Sequence, residues 1–521
     1  MSRNGQQLPP GWAETTLAEI VEPRSGKANP QDTPDEQFIG MEQVEAHTMR
    51  LLGTVSCGSM KSTANVFSPS DVLYGRLRSY LNKVYQPDFA GLCSGEFIVL
   101  PETSAVLGRF LKYRLNAGDF VSFASHINAG DRPRVDFDQI KVFTIRLPPR
   151  PEQQRIADAL DELLSDLDAG VLALERVREK LKLYRASVLK AAVEGSLTAE
   201  WRAQHPHTEP AAELLKRILD ERRRRWEEEQ LAKFREKGKE PPTNWKAKYK
   251  EPVTPDTVDL SLLPKGWCWA TLDQISSLVT SGSRGWKEYY TQDGAIFIRS
   301  QDIRTDQLKL DTAAHVSPPD KTEGARTKVC RGDLLVTITG ANVAKATAVK
   351  VELPEAYVSQ HVGLIRLVSP ELGKFVHVYT VSPSGGRKRL LASAYGAGKP
   401  GLNLDNLREL PIPLPPVDES EAVVEAVEDQ LSVIEHLEAD FDAKLNSARA
   451  LRQAILSHAF TGQLVPQDPN DEPASELLKR IAAEREARAR EASDAKLAGK
   501  PADSARAGRR GHAKSKTQGN N

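Results

Sequence analysis

The hydrophobic positions of two long stretches recur at steps of three and four residues. In the first stretch they are Leu160, Leu164, Leu167, Val171, Leu174, Val177, Leu181, Tyr184 and Val188. In the second they are Val424, Val427, Leu431, Ile434, Leu437, Phe441, Leu445, Ala448, Leu451 and Ile455. Such spacing over four heptads is typical of a coiled-coil seam. Because one apolar stripe needs a partner, we expect two rods of roughly 60 Å to pair antiparallel.

The ends of both helices are marked by residues with restricted or unusual backbone preferences. Pro148, Pro149 and Pro151 predict the start of the first helix, since proline suits a first helical turn. Gly195 and Gly462 predict where the two helices end, because glycine readily adopts the left-handed conformation after a last turn.

The chain before each helix has a different pattern, with short strands and short helices. Runs such as "DVLYG", "EFIVL", "DLLVTIT" and "HVGLIRLV" read as strands between Gly, Pro, Asn and Asp turns. The stretch "LGRFLKYRLNAGDF" has the spacing of a helix. We therefore predict an α+β protein, with two mixed domains and two long antiparallel coiled-coil helices.

Several phrases occur twice in the same order, at offsets of 255 to 267 residues. "LPPGWAETTLAEI" at 8–20 matches "LPKGWCWATLDQI" at 263–275, and "EPAAELLKRI" at 209–218 matches "EPASELLKRI" at 472–481. Arg132-Pro133 likewise matches Lys399-Pro400. An offset that drifts slowly indicates two copies of one unit of about 260 residues, with insertions in loops.

The repeat and the helical pattern together predict the domain organisation. The predicted segments are a first domain at 1–150, a spacer helix at 151–200, a charged helix and linker at 201–262, a second domain at 263–417, a spacer helix at 418–465, and a terminal helix with a disordered basic tail at 466–521. The segment 219–262 is highly charged and has no assigned role.

Composition excludes several classes of protein. The sequence contains no run of about 18 apolar residues, so it predicts no membrane span. Its content of 40% hydrophobic and 27% charged residues is ordinary for a globular chain. The four cysteines are far apart, which argues against disulfides or a zinc site and favours a cytoplasmic location. The net charge is zero, so overall charge indicates no particular partner.

A search for catalytic motifs finds none. "TGANVAKA" lacks the ending of a phosphate-binding loop, no glycine-rich turn suggests a nucleotide or S-adenosylmethionine pocket, and the ten histidines have no metal spacing. We therefore predict a chain that is not an enzyme and holds no cofactor or metal.

Basic and amide residues cluster where the two copies differ most. The candidates for DNA binding in the first domain are Arg76, Arg78, Ser79, Asn82, Lys83, Arg132 and Arg134. In the second domain they are Arg284, Lys287, Arg299, Gln301, Arg304, Asn342, Lys345 and Lys399. Arginine on guanine and Asn or Gln on adenine are base-reading pairings, and lysine suits phosphates. The alternative is that these residues are solvated surface groups.

The order of these motifs resembles the specificity subunit of type I restriction-modification systems. The resemblance rests on "LPPGW" and "LPKGW", "GDLLVTITGANV", "LRSYLNKV", "LPPRPEQQRIADALDELLSDLD", "AAVEGSLTAEWRAQHP" and "ELLKRIAAER". It implies that each domain reads one half of a split sequence in double-stranded DNA. It also implies two adenine-methylating modification subunits docked on the helices and a restriction subunit that joins them, with S-adenosylmethionine, ATP and Mg²⁺ in those partners.

Subunit docking has its own candidate residues, which are Glu152, Gln153, Gln154, Leu214, Leu215, Leu477 and Leu478. The polar three could instead cap the helix, and the ELLKRI phrase could be a structural helix that closes each copy. "PVDESEAV" replaces "RPEQQRIA" in the second copy, so docking there need not be equivalent. Trp12 and Trp267 are predicted to be core anchors. The rival function is a coiled-coil scaffold without DNA specificity.

Overall fold

The computed structural model describes residues 7–128, 130, 132–304, 306–319, 326–396, 398 and 400–498. Its strands are β1 (Ala13–Thr16), β2 (Lys27–Ala28), β3 (Gln37–Ile39), β4 (Val55–Ser56), β5 (Ala64–Phe67), β6 (Val72–Gly75), β7 (Val84–Tyr85), β8 (Gly91–Cys93), β9 (Phe97–Leu100), β10 (Thr144–Leu147), β11 (Cys268–Thr271), β12 (Ser276–Ser281), β13 (Tyr290–Thr291), β14 (Ala295–Ile298), β15 (Ile303–Arg304), β16 (Gln307–Leu308), β17 (Ala314–Val316), β18 (Leu334–Thr337), β19 (Ala346–Ala348), β20 (Ala356–Val358), β21 (Val362–Leu367) and β22 (Pro411–Leu414). Its α-helices are α1 (Leu17–Ile20), α2 (Gly108–Asn116), α3 (Gly118–Ile127), α4 (Phe137–Ile140), α5 (Arg150–Val193), α6 (Ala199–Gln204), α7 (Ala211–Glu236), α8 (Leu272–Ile275), α9 (Gly373–Val381), α10 (Gly386–Ser393), α11 (Leu404–Arg408), α12 (Val417–Phe460) and α13 (Ala474–Ala498). The predicted α+β class is confirmed.

The chain forms two compact units, and each unit contains one of the predicted domains. Unit 1 comprises residues 1–173 with 443–521, and unit 2 comprises residues 174–442. The boundary therefore divides both long helices, so that each unit holds a portion of α5 and a portion of α12. This division could not be read from the linear repeat, in which each helix follows its own domain.

The two domains use similar small sheets. In unit 1 a five-stranded sheet has the order β2-β5-β8-β3-β4, a three-stranded sheet has the order β7-β6-β9, and β1 pairs antiparallel with β10. In unit 2 two four-stranded sheets have the orders β12-β21-β18-β19 and β13-β17-β14-β20, and β11 pairs antiparallel with β22. The β1–β10 and β11–β22 ribbons bring the first strand of each domain next to the strand that leads into its long helix.

The long helices start within a residue of the predicted positions, but they end at Val193 and Phe460, before the predicted 200 and 465. Gly195 and Gly462 follow them with φ of +69° and +75°, as a left-handed helix end requires. Within unit 2 the helices run antiparallel, because Arg185 pairs with Glu435 at 3.2 Å while Arg178 pairs with Asp442 at 3.5 Å. The predicted seam is only partly buried.

The exposed seam positions lie along the two-helix portion of unit 2. Val177, Tyr184 and Leu437 are exposed there, although the periodicity predicted them to be buried. Two helices cover only one side of each other, so part of a stripe that is wider than a two-helix contact stays in solvent.

Each domain is completed by the helix that ends the other copy of the repeat. In unit 1, Ala474, Leu477 and Ile481 of α13 are buried in the core that contains Trp12. In unit 2, Ala211, Leu214 and Ile218 of α7 are buried in the core that contains Trp267. The predicted role of both tryptophans as core anchors is confirmed.

The same backbone contact fixes each closing helix. The Ala474 amide donates to the Gly11 carbonyl at 2.9 Å, and the Ala211 amide donates to the Gly266 carbonyl at 2.8 Å. The phrase that ends each copy in sequence therefore closes the domain of the other copy.

The charged segment after α7 folds back on that helix. Trp245 stacks on Trp226 with ring centroids 5.9 Å apart, and Tyr249 meets Trp226 edge-on at 5.2 Å. The predicted extended linker is therefore wrong for residues 245–249. Within the predicted segment 466–521, the terminal helix α13 continues to Ala498. The remainder of the predicted tail, 499–521, lies outside the described residues.

Gly462 tests whether the helix end must be glycine. A Cβ at this position would lie 2.4 Å from the Cγ of Pro9, and φ is +75°. We expect Gly462→Ala to lower the free energy of unfolding by about 1–3 kcal/mol, from left-handed strain and this clash.

The matched control is Gly170→Ala, in the exposed interior of α5, where a Cβ meets nothing within 4 Å. It should raise stability by about 0.5–1 kcal/mol. Chemical denaturation of both variants measures the difference, and equal effects would show that the Gly462 backbone has no special requirement.

Candidate nucleic-acid interface

The loop after β6 is held in one shape by its backbone. Arg78 and Asn82 both have left-handed φ, at 53° and 45°, on either side of the short turn Ser79–Leu81. The Arg78 amide donates to the Pro133 carbonyl at 2.7 Å, and the Gly75 amide donates to the Lys83 carbonyl at 2.8 Å. This segment, residues 75–83 with 132–134, is called the first loop frame below.

Unit 2 repeats this frame with different side chains. Gly340 and Ala344 have φ of +90° and +63° at the corresponding positions. The Gly340 amide donates to the Pro400 carbonyl at 2.9 Å, and the Thr337 amide donates to the Lys345 carbonyl at 2.8 Å. The predicted match of Arg132-Pro133 with Lys399-Pro400 is thus explained by one shared contact, although Lys399 itself lies outside the described residues. Residues 337–345 with 400–401 are the second loop frame.

Two candidates in the first loop frame are buried. Ser79 and Asn82 are each only 2% exposed. The Ser79 hydroxyl donates to the Ala124 carbonyl at 3.1 Å, and the Asn82 amide donates to the Asn116 carbonyl at 3.3 Å. Direct DNA contact by these side chains is therefore wrong, and both support the loop from beneath.

Three other candidates of unit 1 have partners within the domain. Arg76 pairs with Asp136, and Arg134 pairs with Glu96. The Lys83 ammonium donates to the Met41 carbonyl at 2.6 Å, and partial burial lowers the pKa of Lys83 below its ordinary value. The structure brings Arg76, Lys83 and Arg134 to the frame, where these contacts restrict their freedom.

Three candidates of unit 2 also have partners within their own domain. Arg299 forms an ion pair at 3.1 Å with Asp302, whose side chain is fully buried, so Arg299 stabilises its own turn. Arg304 donates to the Gln301 carbonyl and to the Thr312 hydroxyl. Asn342 donates to the Ser300 carbonyl at 3.3 Å, which joins the second loop frame to the turn at 300–302.

The remaining candidates are available to an external ligand. Within the described part of the chain, no ion pair or side-chain hydrogen bond engages Arg78, Arg132, Arg284, Lys287, Gln301 or Lys345. Arg132, Arg284, Lys287 and Gln301 are exposed, and Arg78 and Lys345 are half-buried. These six are the base- or phosphate-binding candidates that the structure leaves free.

Sequence reasoning missed two exposed aromatic residues beside the frames. Tyr80 is 45% exposed at the tip of the first frame, and Tyr395 is 62% exposed beside the second. Tyr395 and Gly401 exchange two backbone hydrogen bonds of 2.9 Å, which place Tyr395 next to Pro400. The sequence carried no specific signal for them, because single exposed hydrophobic side chains are common on protein surfaces.

Two of the predicted docking residues at the start of α5 are buried within the domain. Glu152 and Gln153 are fully buried. Glu152 accepts from the Trp12 indole at 3.0 Å and from Gln467 at 3.2 Å, and Gln153 bonds to the backbone of 105, 107 and 148. Direct docking by these two side chains is contradicted, whereas Gln154 is exposed and stays a docking prediction.

Of the four leucines in the two ELLKRI phrases, two are buried in the domain cores and two are only partly buried. Leu214 and Leu477 are buried in the domain cores, so a docking role for their side chains is wrong. Leu215 and Leu478 are partly buried against the same cores, and their docking role stays a prediction.

No metal or membrane site emerges from the described residues. Among them, no group of three His, Cys, Asp or Glu side chains could hold a metal ion. None of the described helices combines the length and apolar character needed to cross a bilayer.

Comparison with known proteins gives consistent matches. The family described as "Type I restriction modification DNA specificity domain" matches residues 9–176. The chain is 28% identical over 359 residues to the EcoBI specificity subunit of Escherichia coli, which covers 66% of this chain and 64% of that protein. It is 24% identical over 501 residues to the EcoDI specificity subunit of Escherichia coli, which covers 92% of this chain and 97% of that protein.

One solved structure shares the fold. A chain from a study of assembly and conformational transition in the type I R-M system superimposes with a TM-score of 0.61 at 17% identity, covering 88% of this chain and 100% of that chain. These matches confirm the resemblance predicted from the sequence, to the specificity subunits of type I restriction-modification systems.

Glu152 and Glu419 allow a paired test of the buried carboxylates. Burial raises the pKa of Glu152 above 4.5, more than the hydrogen bonds from Gln467 and Trp12 lower it. A raised folded-state pKa means that ionised Glu152 destabilises the folded state above that pKa. Glu152→Gln should therefore increase the free energy of unfolding at pH 7, and the gain should disappear as the pH falls below about 4.5.

Glu419 is the matched control, since it accepts from Arg202 at 2.6 Å and from Thr198 at 2.8 Å. Glu419→Gln removes an ion pair and should lower stability by about 1–3 kcal/mol at pH 7. Denaturation curves at several pH values give both results. A loss of stability at pH 7 in Glu152→Gln would contradict the inferred cost of the buried charge.

Proposed function

We propose that this chain is the DNA-reading, non-catalytic subunit of a type I restriction-modification complex, and that each domain reads one half of a bipartite target. The observation that carries the proposal is the pair of loop frames. Two domains hold the same backbone by equivalent hydrogen bonds, while the side chains on it differ. A shared frame with different readers is what two different half-sites require.

The free cations supply the chemistry for reading. Arg78 in unit 1 and Arg284 in unit 2 have guanidinium groups without an internal carboxylate partner among the described residues. A guanidinium can bind guanine O6 and N7 in a bidentate manner. The paired arginines, Arg76, Arg134 and Arg299, position the surrounding loops.

Docking of two modification subunits is supported by a repeated exposed surface. The residues Glu209, Glu213, Lys216 and Arg217 of the first copy recur as Glu472, Glu476, Lys479 and Arg480, and all eight are exposed. Core packing explains identity at buried positions, but it does not constrain exposed ones. Two identical polar surfaces on otherwise divergent units suit two copies of one partner.

Catalysis and cofactors are assigned to the partners in this proposal. The modification subunits would hold S-adenosylmethionine, and the restriction subunits would hold ATP and Mg²⁺. The reading loops then have only to place the target adenine where a partner can flip it out of the duplex. A cytoplasmic location remains a prediction from cysteine usage.

Reciprocal arginine substitutions test the reading of half-sites. Arg78→Ala should reduce discrimination at one half-site by about 1–3 kcal/mol and leave the other unchanged. Arg284→Ala should do the converse. Alanine adopts the left-handed Arg78 backbone with strain similar to that of arginine, so the loop is retained.

The measurement is methylation of a randomised duplex library by the complex assembled with its modification subunit. Arg76→Ala serves as a control for general loop damage, because it removes a positioning ion pair. If Arg78→Ala preserves the full preference at both half-sites, Arg78 is not a reader.

Charge reversal tests the repeated docking surface. The double variant Lys216→Glu/Arg217→Glu should reduce the number of bound modification subunits from two to one, as should Lys479→Glu/Arg480→Glu. The quadruple variant should bind none. Native mass spectrometry of the mixture counts the subunits. These residues form surface ion pairs worth about 0–1 kcal/mol, so folding should persist.

Lys61→Glu, at an exposed lysine of unit 1 that lies outside both closing helices, is the control and should keep two subunits. Two subunits bound to the quadruple variant would contradict docking at the repeated surface.

A further inference from the structure

A basic hairpin extends from unit 2 and is defined here as residues 222–251. It contains eleven Lys and Arg residues against six Glu residues, in a chain whose total charge is zero. Helix α7 forms its outgoing arm, Gly238 with φ of +59° lies in its turn, and the return arm includes the short helix Trp245–Lys248. The sequence shows the charge excess, but only the structure shows that the two arms lie together.

The aromatic residues of the hairpin are used internally. Trp226 and Trp245 stack at 5.9 Å, Tyr249 packs edge-on against Trp226 at 5.2 Å, and Phe234 meets Trp245 at 6.5 Å. All four are half-buried. They join the outgoing arm to the return arm and give the hairpin a small core of its own.

The base of the hairpin is fixed to the domain of unit 2. Arg222 donates to the Tyr249 hydroxyl at 2.7 Å and to the Ser276 carbonyl at 3.0 Å. Asp273 accepts from the Val253 amide at 3.1 Å, and the Thr271 hydroxyl donates to the Val253 carbonyl at 2.6 Å. The hairpin is therefore a held extension of the domain rather than a free linker.

Its cations fall into two groups. Near the base they are neutralised by glutamates, through the pairs Arg223–Glu227, Arg224–Glu228, Arg225–Glu221 and Lys246–Glu227. Around the tip and return arm a second group is exposed and has no carboxylate partner within the described chain: Arg235, Lys237, Lys239, Lys248 and Lys250. The only unpaired glutamates of the described hairpin are Glu236 and Glu240.

We propose that this second group binds the phosphates of duplex DNA without reading its sequence, which rests on the proposed DNA-binding function. The exposed surface consists of four ammonium groups and one guanidinium, while the aromatic rings are engaged inside the hairpin. Protein interfaces are depleted in lysine and enriched in exposed aromatic residues. Phosphate binding has the opposite requirement, namely flexible point charges that release counterions.

The second copy of the repeat lacks the aromatic residues that form the core of this hairpin. Ala489 stands where the first copy has Trp226, and helix α13 contains no aromatic residue. The hairpin thus adds affinity on the side of unit 2 alone, in addition to the two loop frames.

The test removes charge without disturbing the aromatic core. The variant Lys237→Gln/Lys239→Gln/Lys248→Gln/Lys250→Gln is prepared in the full chain and assembled with the modification subunit. Its binding to a target duplex and to a non-target duplex is titrated at several KCl concentrations. Each lost phosphate contact should make the plot of log K against log[KCl] less steep by about 0.9, so the loss of four contacts should reduce the steepness by about 3.6. Affinity for both duplexes should fall roughly 10³- to 10⁴-fold near 0.1 M salt, with the target preference unchanged.

The matched control acts in the opposite direction. Glu236→Gln/Glu240→Gln removes the unpaired carboxylates of the same hairpin. Affinity for both duplexes should therefore rise, and the plot of log K against log[KCl] should become steeper. Unchanged tryptophan fluorescence, to which all seven tryptophans of the chain contribute, checks that both variants keep the fold.

Each other outcome is decisive. An unchanged salt slope in the lysine variant overturns the proposal. Loss of modification-subunit assembly with an unchanged slope in whatever complex forms also overturns it and assigns the hairpin to a protein partner. If the unsubstituted complex itself shows no target preference, the proposed function fails. If the unsubstituted complex prefers its target and the lysine variant leaves the salt dependence unchanged, only the proposed phosphate binding by the hairpin is rejected.

Discussion

Neither domain is complete without a helix that lies far away in the sequence. The contact is small and is made twice: Ala474 bonds to Gly11, and Ala211 bonds to Gly266, each beside a buried tryptophan. Around it, three apolar residues of the closing helix enter the core. Since a fully buried aliphatic side chain contributes about 1.5–3 kcal/mol, removing either helix would expose a substantial part of the core.

The loop frames depend on this completed core but not on the identity of the reading residues. Their hydrogen bonds join backbone to backbone, as between Arg78 and Pro133 and between Gly340 and Pro400. The exposed side chains can therefore be changed on the frame, apart from the cost of a left-handed position, whereas the buried Ser79 and Asn82 support the loop. Arginine at 78 carries a strain of about 1–2 kcal/mol that glycine at 340 avoids. A non-glycine residue retained at such a position is consistent with a side chain that is needed there.

What could be predicted from the sequence depended on short-range periodicity and on repetition. The helices and their glycine ends were predictable because seam spacing and left-handed caps are local properties. The exchange of closing helices was not, because two identical phrases do not reveal which copy each one packs against. Ser79 and Asn82 were misassigned for a related reason. Their polarity suggested a surface, whereas their side chains satisfy carbonyl groups below the loop. The hairpin was missed because its aromatic residues are distant in sequence and meet only when the chain reverses.

The internal repeat also separates structural requirements from functional ones within a single chain. Glu152 and Glu419 occupy equivalent buried positions, yet one is held by an indole and an amide and the other by an arginine. The glutamate is thus compatible with two different environments, which is expected where the requirement is an acceptor at the start of the long helix. At the exposed positions of the closing helices the residues are again identical, but where they pair, they form only surface ion pairs with one another. Packing in the core therefore does not account for that identity. The exposed repeated surface is therefore a better candidate than the buried glutamates for the proposed docking of partner subunits.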